Sequence, residues 1–285
     1  MKRRQPYAAK RQLAQALLAQ ALCKFFSDWT YAAAEPAFPV AWMLPMTRER
    51  RRRIIHTRRT ATGLTLAGAI SFLAGMTDAT GLALTGDFVS FMTGNTTRTA
   101  LSLGNGDLRH AAILLSAIMV FVLGNAVGIV IAHFADRRTF AVLSCVSIAL
   151  ATASLMMGES VEMLRFFLIV SSMGMVNAAV EQIEGLPIGL TYVTGALSRF
   201  GRGLGRWMIG DRRLDWTIQI VPWVGMLAGA IVGALLTQIA GAAALWLIAV
   251  FAMLVALATL LIPKRTQRRF NAAPRSPAHM KSRSQ

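Results

Sequence analysis

The chain has 285 residues, 55% of them hydrophobic and 15% charged, with a mean hydropathy of +0.51; a soluble domain carries about 25% charged residues, so an ordinary soluble fold is excluded. The net charge of +17 sits at the two ends: residues 1–60 hold 13 basic and 3 acidic side chains, residues 264–285 hold 7 basic and no acidic ones, and the 10 basic and 10 acidic residues between them cancel. Charge confined to the flanks of a neutral apolar body argues against a nucleic-acid partner and for the cytoplasmic ends of membrane helices, with anionic headgroups as partners of the basic tails.

Residues 8–26, AAKRQLAQALLAQALCKFF, have the pattern of a basic amphipathic helix lying on a membrane surface. They lack a clean apolar core leading to a small-residue cleavage site, so a signal peptide is not expected. EPAFPVAWMLP follows as an irregular linker with three prolines, then MTRERRRRIIHTRR, which reads as a natural cytoplasmic start. The expectation is that Met46 is the functional start, that residues 1–59 are a partly disordered basic extension, and that 263–285 are a disordered basic tail.

Between these ends the apolar pattern predicts an all-α, polytopic membrane domain over residues 60–262. Segment 1 covers 61–84, segment 3 covers 111–133, segment 4 covers 140–158 and segment 5 covers 163–182. Segments 7 and 8 cover 217–239 and 242–262. Runs of about 20 apolar residues suffice to cross a hydrocarbon core of about 30 Å. Segments 2 (87–103) and 6 (187–208) are shorter and polar, and they are predicted to be broken or re-entrant. The expected count is six full crossings plus two such elements. The two cysteines, Cys23 and Cys145, have no disulfide or metal-ligand spacing, and no metal or cofactor is expected.

Segments 5–8 repeat segments 1–4. FMTGNTTRTALSLG (91–104) aligns with YVTGALSRFGRGLG (192–205) at an offset of 101, matching Thr93 with Thr194, Gly94 with Gly195 and Arg98 with Arg199. AGMTDA (74–79) echoes MGMVNA (173–178) at an offset of 99, and Gly124 and Gly128 match Gly229 and Gly233 at an offset of 105. Two repeats of about 100 residues with short segments at matching places point toward a transporter-like fold. The Gly-x-x-x-Gly pairs Gly124/Gly128 and Gly229/Gly233 are predicted helix-packing faces, and a homo-oligomer is compatible with them. Positive-inside counting does not choose between eight crossings with parallel repeats and six with inverted ones, because each misplaces two charges. Both place the termini inside, and the polarity of segments 2 and 6 favours re-entrant elements.

GMTDATGLALTGDFVSFMTGNTTR together with LTYVTGALSRFGRGL resembles the YoaK-like family of small bacterial integral membrane proteins, a domain-of-unknown-function family. The resemblance covers roughly residues 60–262. It implies a multi-pass protein of the bacterial inner membrane and implies no reaction.

Ionisable residues at membrane depth face a cavity or pair with one another. Here they are Asp78, Asp87, Arg98, Glu181, Glu184 and Arg199. Arg98 and Arg199 are repeat-equivalent and each follows a Thr-Gly by four residues. Two helix starts meeting at a pseudo-two-fold would form an anion-binding pocket, with Thr93, Asn95, Thr96, Thr194 and Ser198 adding hydrogen bonds. The alternatives are that the arginines snorkel to the interface or pair with Asp78, Asp87, Glu181 or Glu184. Asp78 or Glu181 is a candidate proton-coupling or structural carboxylate. No His-Glu-x-x-His, Gly-x-Ser-x-Gly or P-loop is present, the four histidines are scattered, and an enzyme is not expected. The expected function is a small-solute transporter or permease with a central polar site, the solute unidentified; the competing expectation is a membrane scaffold or stress-related protein without transport.

Overall fold

The computed structural model describes residues 20, 48–156, 158–179, 182–183, 186–187, 193–211 and 215–263. The chain divides into two compact units, Met1–Ala61 and Thr62–Gln285. Of the first, residue 20 and residues 48–61 are described, and all are helical. The described part of the second is almost entirely helical. In chain order the helices are α1 (Arg48–Thr85), α2 (Met92–Gly104), α3 (Leu108–Phe134), α4 (Arg138–Leu155), α5 (Glu162–Ala179), α6 (Val193–Met208), α7 (Ile220–Ala240) and α8 (Ala244–Thr259). A two-residue antiparallel ladder, Gln182–Ile183 with Leu186–Pro187, follows α5.

Among the described residues, five stretches are long and apolar enough to cross a membrane: Ala61–Thr85, Leu108–Phe134, Arg138–Leu155, Glu162–Ala179 and Trp216–Thr259. The last holds both α7 and α8, separated at Gly241, whose positive φ of 56° ends α7. Helix α3 shows why this surface belongs in lipid. Small or slim residues (Ala117, Gly124, Gly128, Ala132) lie on its buried face, together with Leu114 and Phe121. Its outward face carries Leu115, Met119, Val122, Leu123, Val127 and Val130, all exposed. A helix apolar on every side suits a bilayer.

Three helix pairs organise the second unit. Between α1 and α7 the facing residues advance together: Gly68 faces Val221, Phe72 faces Gly229, and Met76 faces Gly233. At the far end the Thr80 hydroxyl donates to the Gly233 carbonyl at 3.2 Å, and the Thr237 hydroxyl donates to Thr80 Oγ1 at 2.9 Å. These two helices therefore run parallel. So do α3 and α5, where Gly124 abuts the Ser171 carbonyl, Gly174 abuts the Phe121 carbonyl, and Gly128 meets Met175 and Ala178. In contrast, α4 and α8 are antiparallel. Arg137, just before α4, donates to the carbonyls of Leu260 (3.0 Å) and Ile262 (3.1 Å), while Ser147 donates to Ala249 (2.7 Å) and Ser154 to Ala242 (3.4 Å).

The two parallel interfaces coincide contact for contact. With offsets of 99 between α1 and α5 and 105 between α3 and α7, Gly75 on Met226 and Ala230 becomes Gly174 on Phe121 and Asn125. Gly229 on Phe72 becomes Gly124 on Ser171, and Gly233 on Met76 becomes Gly128 on Met175. At each of these glycines a Cβ would press into the partner helix, mostly into its main chain. Only glycine allows such approach, which trades side-chain volume for main-chain dispersion and Cα–H···O contacts.

The short polar segments each hold one short helix. The 13 residues of α2 span about 20 Å and the 16 of α6 about 24 Å, less than the hydrocarbon core of about 30 Å. Within segment 2 the chain is non-helical up to Phe91, before α2 begins; residues 188–192, before α6, lie outside the described residues.

Candidate functional site

The α2 end is built around Asp87. Helix α1 stops at Thr85, whose hydroxyl bonds back to the Gly81 carbonyl at 2.8 Å and accepts the Asp87 N–H at 3.4 Å. The following loop is held from both sides. Asp78 on α1 accepts the Ser90 N–H at 3.1 Å, and the Asn95 amide on α2 donates to the Phe88 carbonyl at 2.8 Å. Val89 is fully buried against Gly81. Arg98 then reaches back along α2, donating from Nη1 to the Gly86 carbonyl (2.7 Å) and to Asp87 Oδ1 (2.8 Å), with its guanidinium 5.7 Å from the Phe88 ring centre. His110, from the first turn of α3, places Nε2 3.1 Å from Asp87 Oδ2. Its Nδ1 lies 3.3 Å from the Ser102 hydroxyl. A neutral imidazole protonated on Nε2 satisfies both contacts: it donates to the carboxylate and accepts from the serine. Asp107 caps α3 by accepting the His110 N–H at 3.0 Å.

One carboxylate thus ties the end of α1 to α2 through Arg98 and to α3 through His110. The line Ser102–His110–Asp87 has the residue types of a hydrolase relay. However, Ser102 is buried and Asp87 is shared with Arg98, so the arrangement is built as a clamp.

Of the hydroxyls expected to line a pocket, that of Thr96 is engaged within its own helix, as is that of its neighbour Thr97. Thr96 donates to the Met92 carbonyl at 2.9 Å and Thr97 to the Thr93 carbonyl at 3.2 Å, the local back-bonding that threonine adopts within helices. Thr93 and Thr96 are exposed, and Asn95 is fully buried with its Oδ1 lacking a partner among the described residues.

The α6 end is simpler. Arg199 Nε donates to Gln219 Oε1 at 2.9 Å. Phe200 packs edge-on to Trp216 at 5.0 Å, and Gly203 abuts the same indole. These contacts dock α6 on the 3-10 turn Asp215–Gln219 that opens α7. Thr194 and Ser198 are exposed.

Helix direction fixes where these two ends lie. α2 attaches beyond Thr85, near the Thr80–Thr237 contact, whereas α6 attaches before Val221, at the Gly68 contact. From Gly68 to Thr85 is about 25 Å along α1. The structure therefore does not bring Arg98 and Arg199, or Thr93 and Thr194, to one spot. The shared pocket expected from their equivalence is not formed, because α1 and α7 are parallel and carry the two short helices at opposite ends. Of the alternatives, ion pairing describes Arg98, with Asp87 as its partner. Asp78 holds a loop N–H. Glu181 and Glu184 lie outside the described residues. Gly124, Gly128, Gly229 and Gly233 all sit at the close helix contacts. Sequence reasoning did not single out His110; the signal available was that Asp87 and His110 flank a helix too short to cross, which leaves both at the same end.

Residues 66–258 match the family model described as Protein of unknown function (DUF1275). The chain is also 56% identical over 225 residues to the UPF0700 transmembrane protein RA0705 of Rhizobium meliloti (strain 1021), covering 79% of this chain and 98% of that one. No solved structure matches it. A family of unknown function with a transmembrane relative is consistent with the resemblance read from the sequence. The chain is a transmembrane protein and belongs to the DUF1275 family.

Proposed function

We propose that this protein is a small-solute transporter of the bacterial inner membrane, built from two inverted halves with six crossings and both termini in the cytoplasm. The supporting observation is the coincidence of the α1–α7 and α5–α3 interfaces at glycine level. Halves of opposite orientation, packed through exchanged helices, are the architecture on which rocking transporters are built. In this reading the repeats are 61–158 and 163–262, and α7 and α8 each cross once, since 44 residues in one span would reach about 66 Å. Arg137, Arg138, Arg199, Arg202 and Arg206 then share one face with the basic C-terminal tail, which makes that face cytoplasmic.

The two sets of polar residues become two mouths of one path. Thr93, Asn95, Thr96 and Arg98 lie at the outer mouth, and Thr194, Ser198 and Arg199 at the inner one. Asp78 and Glu181 remain the carboxylates through which a proton would couple. The reading includes no cofactor, nucleic-acid partner or enzymatic step.

The test is uptake into proteoliposomes of a panel of small anionic and neutral solutes, with and without a proton gradient. Arg98→Gln and Arg199→Gln are each expected to slow uptake per folded molecule, Arg98→Gln with a small loss of folded yield. Uptake no faster than in protein-free liposomes across the panel would sink the transporter reading.

A further inference from the structure

The geometry points to α6 as a docking surface for anionic phospholipid headgroups, independently of what the protein transports. At about 100° per residue, three faces separate along Val193–Met208. Ala196 and Gly203 are buried and, with Phe200, form the face packed on the turn before α7. Arg199, Arg202 and Arg206 fall on one flank. Leu197, Leu204 and Met208 fall on the opposite flank and are 38%, 40% and 74% exposed. A helix held along one side, with cations on one flank and large apolar side chains on the other, is shaped to lie in a bilayer interface, one flank against phosphates and the other against acyl chains. No acidic residue occurs within the 16 residues. Asp211, just past the helix, gives its N–H to the Arg206 carbonyl at 3.0 Å and is the next carboxylate in the chain.

Arg199 is tethered at its root by Gln219, so the exposed Arg202 and Arg206 carry the headgroup contact. The matching helix α2 makes the contrast: it has one arginine, and Asp87 neutralises it at 2.8 Å. Two helices of the same origin thus differ in charge in the way that an anionic leaflet on one side only would favour.

The probe is phosphatidylglycerol brominated on its acyl chains, titrated into the full-length protein in neutral detergent. The Trp207 signal, from a half-exposed indole that follows Arg206 in the chain, is isolated by subtracting the fluorescence of Trp207→Phe. Each arginine near an anionic surface contributes roughly fivefold in affinity. The half-quenching concentration should therefore rise about 25-fold in R202Q/R206Q and stay put in R202K/R206K. Brominated phosphatidylcholine should quench wild type only at the higher concentration, and 1 M salt should erase the difference between the two lipids. If R202Q/R206Q is quenched like wild type, or the two lipids act alike on wild type at low salt, the proposal is overturned. Equal protection by inorganic phosphate would also overturn it, because the site would then take the free anion. Should R202Q/R206Q not fold, the lipid comparison and salt series on wild type still decide.

Discussion

Gly229 lies against the main-chain carbonyl of Phe72, with no room for a Cβ between them. Its counterpart, Gly124 against Ser171, has the same geometry. Gly229→Val and Gly124→Val should therefore destabilise the protein to a similar degree, by about 3 kcal/mol each, since the intruding carbon meets main chain that moves only if the helices part. Gly201→Ala on α6 is the control: nothing lies within 4 Å of the added Cβ. It should gain about 0.5 kcal/mol through the unfolded state. Denaturant titration in detergent micelles measures all three, and a Gly229→Val protein as stable as wild type would remove the close α1–α7 contact.

The clamp at Asp87 makes a second prediction. Asp87→Asn loses the charge that holds both Arg98 and His110, whereas Arg98→Gln loses only its own contacts. With Arg98 38% and Asp87 13% exposed, the pair should couple by about 1 kcal/mol in a double-mutant cycle, the upper end for partly exposed ion pairs. Asp87→Asn should be the more damaging single change. Equal effects of the two single changes would show that the His110 contact is worth no more than the bond Arg98 makes to the Gly86 carbonyl.

Thr80 and Thr237 offer a narrower test. Their hydroxyls bond across α1 and α7 at 2.9 Å. Interhelical hydrogen bonds in membranes average about 0.6 kcal/mol, so a Thr80→Val/Thr237→Val cycle should return a coupling of that size by thermal or denaturant unfolding. A coupling near zero would mean that the two hydroxyls do not bond each other and that each is satisfied by the Gly233 carbonyl.

Arg137 sits outside the helices yet closes α8 by donating to Leu260 and Ile262. These carbonyls lie in the turn just past Thr259, where a cation is favourable both as a hydrogen-bond donor and against the helix dipole. Arg137→Ala should cost about 2 kcal/mol. Hydrogen exchange should show faster fraying of α8 from its C-terminal end while α7 keeps its protection.

The amino-acid sequence made the spans and the glycine spacing readable, because lipid demands long apolar runs and close helix contact demands small residues at intervals of four. Gly124/Gly128 and Gly229/Gly233 could be paired by eye for that reason. What could not be read was which helices run side by side and in which direction. Arg98 and Arg199 keep the same local pattern whether the repeats are parallel or inverted. Counting positive charges gave a tie, since Arg109 and Arg165 balance Arg137 and Arg138. The equivalence of the two arginines therefore suggested a shared pocket, which only the parallel course of α1 and α7 dispels. The Asp87–His110 contact was hidden for a different reason: it bridges 23 positions and depends on the reversal at Gly106, whose φ is +79°, bringing α2 back beside α3.

The proposed inverted course is best tested by the sidedness of α2 and α6. Cys23 and Cys145 are first replaced, and Thr97→Cys and Ser198→Cys, both exposed, are introduced one at a time. A membrane-impermeant maleimide is applied to intact cells and to permeabilised ones. The account predicts that Thr97→Cys reacts in intact cells and that Ser198→Cys reacts only after permeabilisation. Labelling of both positions from the same side would contradict it.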